Sequence, residues 1–269
     1  MSEFRLMVTS GWYSALSDES DSRLKLLGAS ATRRADFHEE WLASVEHHLR
    51  PENILIVDSL SPTPSPLRKV QRIDWIDLHE NAGHATVASG LLCGWSQSVA
   101  ISMIAFLNTG LDYYIYVEQD VLLKGMNLRE GLTDACGTSI LFGSGKGTPQ
   151  PLQQSLFVLH RSRVQRFLTR FLGIPRSDLE FSPEKKFVLA ASRLPAWVSR
   201  TLQDSSAPVA RRLVADRSLF SLFRGFEWLP LPGGRARPIP WEADYYMQHA
   251  SEEELVSHRE ACADLRRNV

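Results

Sequence analysis

The sequence predicts an α/β fold in which a mixed, mostly parallel sheet is flanked by helices. Three observations predict it. Ile54-Leu55-Ile56-Val57 and Tyr113 to Val117 are short, nearly unbroken apolar runs, the pattern of strands buried on both faces. Phe37, Trp41, Val45 and Leu49 recur at helical spacing between them, as one face of an amphipathic helix does. Strand and helix patterns then alternate along the first half of the chain, as they do where helices cover a parallel sheet.

Phe4 to Ser10 reads as the first strand, followed by a loop with Gly11, Trp12 and a Ser/Asp-rich stretch to Ser22. A helix is expected over Ala31 to Leu49, stopped by Arg50-Pro51. Asn53 to Asp58 is the second strand, and Ser61-Pro62-Thr63-Pro64-Ser65-Pro66 cannot be helix. Val70 to Asp77 is a third strand. Gly83 to Leu107 has helix-compatible spacing, weakened at Gly90 and Gly94. Tyr113 to Val117 is a fourth strand, ending in Glu118-Gln119-Asp120.

The second half is less regular. Gly137 to Pro151 reads as a glycine-rich loop around a short strand, Ser155 to His160 as a strand, and Ser162 to Leu172 as a helix. Another helix within Asp178 to Leu194 opens at Ser182-Pro183-Glu184, where proline suits the first helical position. Phe226 to Leu231 is a late strand, and Pro230 to Pro240 is rich in proline, glycine and arginine. Glu252 to Arg267 closes the chain as a helix, with Ser251 as its cap and Glu254 placed for a capping box.

Composition narrows the partners. The 269 residues are 43% hydrophobic and 23% charged, with a net charge of −1, so nothing favours nucleic acid. Three widely spaced cysteines, Cys93, Cys136 and Cys262, form no Cys-x-x-Cys pair, which argues against a zinc site or disulfide framework and suits a reducing cytosol. Met1 to Ser10 does not resemble a signal peptide. No apolar run reaches the roughly 20 residues of a transmembrane helix. A cytoplasmic protein is expected, with peripheral contact at the inner face of a membrane left open.

Polar residues collect just after strand ends, at Ser10, Asp58 and Asp120, where open α/β sheets bind ligands. Glu118 and Asp120 leave an apolar strand together. Carboxylate oxygens of this kind suit Mn²⁺ or Mg²⁺ bridging a diphosphate; they serve as readily as a helix cap or a surface ion pair. Arg235 and Arg237, in a glycine-rich loop, suit phosphate oxygens. Other motifs fail. His79-Glu80 and His84 miss zincin spacing, and Gly143 to Thr148 lacks the first glycine and the metal-binding hydroxyl of a P-loop. No Gly-x-Gly-x-x-Gly follows the first strand.

In order, the segments Phe37 to Leu49, Ile54 to Ser61, Ile73 to Ala85 and Tyr114 to Asp120 resemble the GT-A fold glycosyltransferases, especially the family 2-like group. The resemblance covers about the first half of the chain. It implies one GT-A-like, Rossmann-related domain over 1–269, with a nucleotide-sugar-binding half (1–125) and an acceptor-side half with the C-terminal helix (126–269). By this resemblance Thr9, Ser10 and Gly11 border the nucleotide and Asp58 contacts its base or ribose. Asn81, Gly83 and His84 line the cleft, Glu118 positions the donor, and Asp120 binds the metal. His249 completes the metal shell. A catalytic base from the second half is implied, with Glu184 the first candidate and Glu180 and Asp178 behind it. Ser59 and Glu118 stand where the family usually has aspartates.

The activity implied is transfer of a sugar from a nucleoside-diphosphate-sugar donor to a hydroxyl acceptor, such as a growing bacterial-type glycan. A sugar nucleotidyltransferase is the first alternative; the acidic stretch Ser10 to Ser22, without Lys or Arg, argues against its usual basic phosphate loop. A non-catalytic glycan- or partner-binding domain of the same fold is the second.

Overall fold

The computed structural model describes residues 4–14, 27–88, 90–146, 148–194 and 224–267, with side chains to residue 262. From residue 15 the acidic stretch expected as a loop lies outside the described residues.

The strands are β1 (Leu6–Trp12), β2 (Asn53–Asp58), β3 (Ile73–Asp77), β4 (Tyr113–Val117), β5 (Val121–Lys124), β6 (Ile140–Ser144), β7 (Leu152–His160), β8 (Glu227–Trp228), β9 (Gly233–Gly234) and β10 (Tyr245–Gln248). The helices are α1 (Phe37–Leu49), α2 (Gly94–Leu107), α3 (Leu128–Cys136), α4 (Arg161–Leu172), α5 (Pro183–Ala191) and α6 (Glu252–Arg267). A seven-stranded sheet runs in the order β3-β2-β1-β4-β7-β6-β8. Its first four strands are parallel, β7 is antiparallel to both β4 and β6, and β8 is parallel to β6. A three-stranded sheet, β5-β10-β9, stands beside it. The fold is therefore α/β, with a mixed and mostly parallel sheet flanked by helices.

Alternation along the central strands explains why their sequences read as unbroken apolar runs. Leu6, Val8, Ile54, Ile56, Tyr113, Ile115 and Val117 pack on one face with Trp41 and Val45 of α1 and Leu128 and Leu132 of α3. Met7, Leu55, Tyr114 and Tyr116 pack on the other with Val99, Met103 and Phe106 of α2, Phe167 of α4 and Phe187 of α5. Both faces are buried, so β2 and β4 are apolar almost throughout, and buried polar residues enter only toward the carboxyl ends, as Thr9 and Ser10 in β1 and Asp58 in β2.

Several expected elements shift. The first helix is expected from Ala31 but begins at Phe37, because Ser30–Arg33 forms a 3₁₀ turn instead. The helix expected from Gly83 begins at Gly94. Gly83 takes φ +74°, and its carbonyl accepts the Gly94 N–H at 2.9 Å, so the chain is back beside Gly83 where α2 begins. The capping box of α6 forms in both directions: Ser251 N–H donates to Glu254 Oε2 at 2.9 Å, and Glu254 N–H to Ser251 Oγ at 3.2 Å. No helix among the described residues is long and apolar enough to cross a membrane.

Two buried histidines make the fold acid-sensitive. The His38 ring lies over Trp12, 3.5 Å between centroids, and burial lowers its pKa from 6.5 to about 3, against a smaller opposing effect of Asp36. His258 is lowered to about 4 by burial and by neighbouring His48, Lys124 and Arg259. Each folded pKa lies below its unfolded value, so their stabilisation is complete above about pH 6.5 and is lost as pH falls toward 3–4. Melting temperature measured from pH 7.5 to 4 should decline below 6.5, and His38→Phe should lessen that decline. Identical pH slopes in the two proteins would contradict this reading.

Candidate functional site

A cleft of about 240 Å³ opens at the carboxyl edge of β1, β2 and β4. Its walls come from the end of β1 (Gly11, Trp12), Ser59 after β2, the loop with Asn81, Gly83 and His84, the start of α2 (Gly94, Trp95), the β4–β5 turn (Glu118, Gln119, Asp120), Arg235 after β9 and His249 after β10. Gly11 is required there by close approach: a Cβ would lie 2.1 Å from Ser98 Oγ and 3.0 Å from Tyr116 Oη.

The β4–β5 turn is held from three sides. Trp41 of α1 donates its indole N–H to the Glu118 carbonyl at 3.1 Å. The Gln119 side chain grips both backbone groups of Tyr13, accepting from N at 2.7 Å and donating to O at 3.1 Å. Asp120, 8% exposed, has Oδ2 3.2 Å from His249 Nε2. Its Oδ1 accepts from Gln248 Nε2 at 3.3 Å, and the same amide donates to Glu118 Oε2 at 2.8 Å. The Gln248 side-chain oxygen Oε1 accepts from Arg235 Nε at 3.0 Å. His249 adopts left-handed backbone (φ +56°) at the end of β10, a conformation costly for a non-glycine residue and one that gathers at functional sites.

Other residues singled out in the sequence lie elsewhere. Thr9 and Ser10 are fully buried in β1 and do not line the cleft; Ser10 Oγ accepts from Trp12 Nε1 at 2.9 Å. The Asp58 carboxylate, expected on the nucleoside, accepts from Ser61 N–H at 2.8 Å and from Arg68 at 2.9 Å. Arg68 also pairs with Asp77, whose pKa is lowered by that hydrogen bond. Asp58 thus ties the end of β2 to β3, while its neighbour Ser59 faces the cleft. Arg237 is likewise committed, to both Glu254 oxygens and to the carbonyls of Gly234, Ala236 and Gln248. It braces the corner of β9, β10 and α6, and Arg235 alone of the two arginines reaches the cleft.

The three second-half carboxylates separate sharply. Glu180 is exposed and hydrogen-bonded locally with Ser177. Asp178 is sealed with Lys186, Nζ to Oδ1 2.7 Å with both side chains at 0% exposure, and it caps the Cys93 N–H at 2.7 Å. Glu184 borders a small cavity that adjoins the cleft and shares Glu118 and Arg235 with it. Burial raises its pKa above 4.5, partly offset by its own N–H, Ser182 and the Arg235 charge.

No protein-family model matches the chain, and no curated protein sequence is similar to it. The solved structures to which it is similar include a mannosyltransferase. That protein is PcManGT from Pyrobaculum calidifontis, in complex with GDP-Man and Mn²⁺; identity is 12%, the TM-score 0.42, and the match covers 81% of this chain and 70% of that one.

Sequence reasoning missed Trp95, Gln119 and Gln248, and noted Ser59 only as a departure from the family's aspartate. Gln119 sits between the two carboxylates already singled out, which was a usable signal. Gln248 had none beyond standing next to His249.

Because Asp178 and Lys186 are sealed together, removing one partner strands a buried charge. Lys186→Met should cost about 3–5 kcal/mol in chemical denaturation. Adding Asp178→Leu should recover much of that loss; a single variant as stable as wild type would overturn the structural role given to Asp178.

Proposed function

We propose that the chain transfers a sugar from a nucleoside-diphosphate-sugar to a hydroxyl acceptor, assisted by a divalent cation. One observation supports this above the others: two carboxylates, an imidazole and a guanidinium, from segments far apart in sequence, converge on one cleft at the carboxyl edge of the sheet.

The donor set suits a cation held jointly with a ligand. Among the described residues no three His, Cys, Asp or Glu side chains form a self-sufficient metal site. Asp120 and His249 offer one carboxylate and one imidazole 3.2 Å apart. Mg²⁺ and its relatives are often held in this way, by one or two protein groups with phosphate oxygens and water completing the shell. The bound cation would neutralise charge gathering on the departing nucleoside diphosphate.

The remaining chemistry belongs to the chain. Arg235 binds diphosphate oxygens. Glu118, tied to Gln248, orients the donor, and Asn81, Gly83 and His84 line the same cleft. Glu184 accepts the proton released by the acceptor hydroxyl as its oxygen bonds to the anomeric carbon and the bond from that carbon to the diphosphate breaks. Its raised pKa favours proton acceptance.

GDP-mannose and UDP-sugars are the first donors to test. Donor hydrolysis or transfer should stop with chelator and return with Mn²⁺. Asp120→Ala should reduce it at least about a hundredfold. Glu184→Gln should abolish transfer while leaving Mn²⁺-dependent nucleotide binding intact. In wild type the rate should rise with pH along a limb displaced above the ordinary glutamate value, since the base must be ionised. Full activity of Asp120→Ala would reject the metal assignment, and an unaltered Glu184→Gln rate would reject the base.

A further inference from the structure

Gln248 occupies a peculiar position, fully enclosed (1% exposed) between groups of opposite charge. Its amide nitrogen donates to Glu118 Oε2 at 2.8 Å and Asp120 Oδ1 at 3.3 Å, while its amide oxygen accepts from Arg235 Nε at 3.0 Å. The amide orientation follows from this pattern: only with nitrogen toward the carboxylates does every contact pair a donor with an acceptor.

A carboxylate pair and an arginine in a half-buried cleft attract one another strongly, and guanidinium–carboxylate pairing is commonly bidentate. Direct pairing would disable both. The carboxylates would lose oxygen sites for a cation, and the guanidinium would lose donors for phosphate. We propose that Gln248 is a positioning residue that keeps the cation-binding carboxylates and the anion-binding arginine apart. A neutral amide is suited to this because it donates on one side and accepts on the other. Its backbone is fixed by pairing with Val121 of β5, the residue after Asp120, so the spacer and what it spaces are registered together. Arg235 is held from behind as well, its backbone N–H donating to Gln153 Oε1 at 2.8 Å. Gln153 in turn donates to the Ser144 carbonyl at 2.6 Å.

The inference rests on the proposed reading of the cleft, and the test separates the two. Calorimetry would follow Mn²⁺ binding to the full chain with GDP or UDP present, and GDP or UDP binding in chelator. Gln248→Met keeps the bulk and removes both polar ends. Both affinities should fall about tenfold or more, the worth of a charged hydrogen bond, as Arg235 collapses onto Glu118 or Asp120. With nucleotide saturating, adding Arg235→Met should recover Mn²⁺ affinity relative to Gln248→Met, but not metal-free nucleotide binding. A residue that merely fills space would show no such recovery.

Gln248→Glu preserves shape and supplies a second arm should the methionine variant not fold. It should capture the guanidinium, weakening metal-free nucleotide binding about tenfold while Mn²⁺ affinity holds or rises. Wild-type-like metal-free nucleotide binding in either folded variant, or no recovery of Mn²⁺ affinity in the double variant, would overturn the spacer role alone. Failure of wild type to bind Mn²⁺ and either nucleotide would overturn the reading of the cleft, and the spacer role with it.

Discussion

The antiparallel pairing of β10 with β5 is the constraint on which the cleft depends. Gln248 lies opposite Val121 and Met247 opposite Leu122. Because Val121 directly follows Asp120, this register brings Gln248 and His249 to the carboxylates across a separation of more than a hundred residues. A one-residue slip would exchange the two faces of the strand, moving Gln248 away from Glu118. The pairing is secured by packing: Leu122, Tyr245 and Met247 form a small core with Phe37 and Leu255. Ser44 of α1 bonds both backbone groups of Leu123, accepting at 2.8 Å and donating at 3.2 Å.

The larger sheet supplies the other half of the arrangement. Its parallel strands end at one edge, so Gly11, Ser59 and Glu118 reach the cleft from three neighbouring strands. Charge is then sorted by partner geometry rather than by proximity in sequence. Asp58 and Arg237 look like ligand-binding groups in the sequence but are consumed by Arg68 and Glu254. Asp120 and Arg235 meet neutral or titratable partners, His249 and Gln248, and remain aimed at the cleft.

What the sequence revealed follows the same division. β2 and β4 were legible because burial on both faces writes an unbroken apolar run, and α6 because its cap is a local signal. β5 and β10 were missed. Each is four residues long, and their pairing is non-local. Buried Lys124 in β5, satisfied by the Trp241 carbonyl at 2.7 Å, also disguises the strand. The start of α2 was misread because apolar spacing in residues 84–93 imitates a helix, whereas the Gly83 carbonyl meets the Gly94 N–H and α2 begins only there. The fate of Asp58 was hidden because Arg68 comes from a 3₁₀ turn at the end of a proline-rich loop. Gln248 was illegible for a different reason: a neutral amide advertises nothing until both of its neighbours are placed.

The central claim is that a cation and a diphosphate meet between Asp120, His249 and Arg235. It is tested most directly by anomalous diffraction at the manganese edge from crystals grown with Mn²⁺ and a nucleoside diphosphate. The expected map has one strong manganese peak within bonding distance of Asp120 and His249, with phosphate density bridging it to Arg235. Nucleotide bound with no manganese beside Asp120, or manganese at a site remote from the cleft, would contradict it.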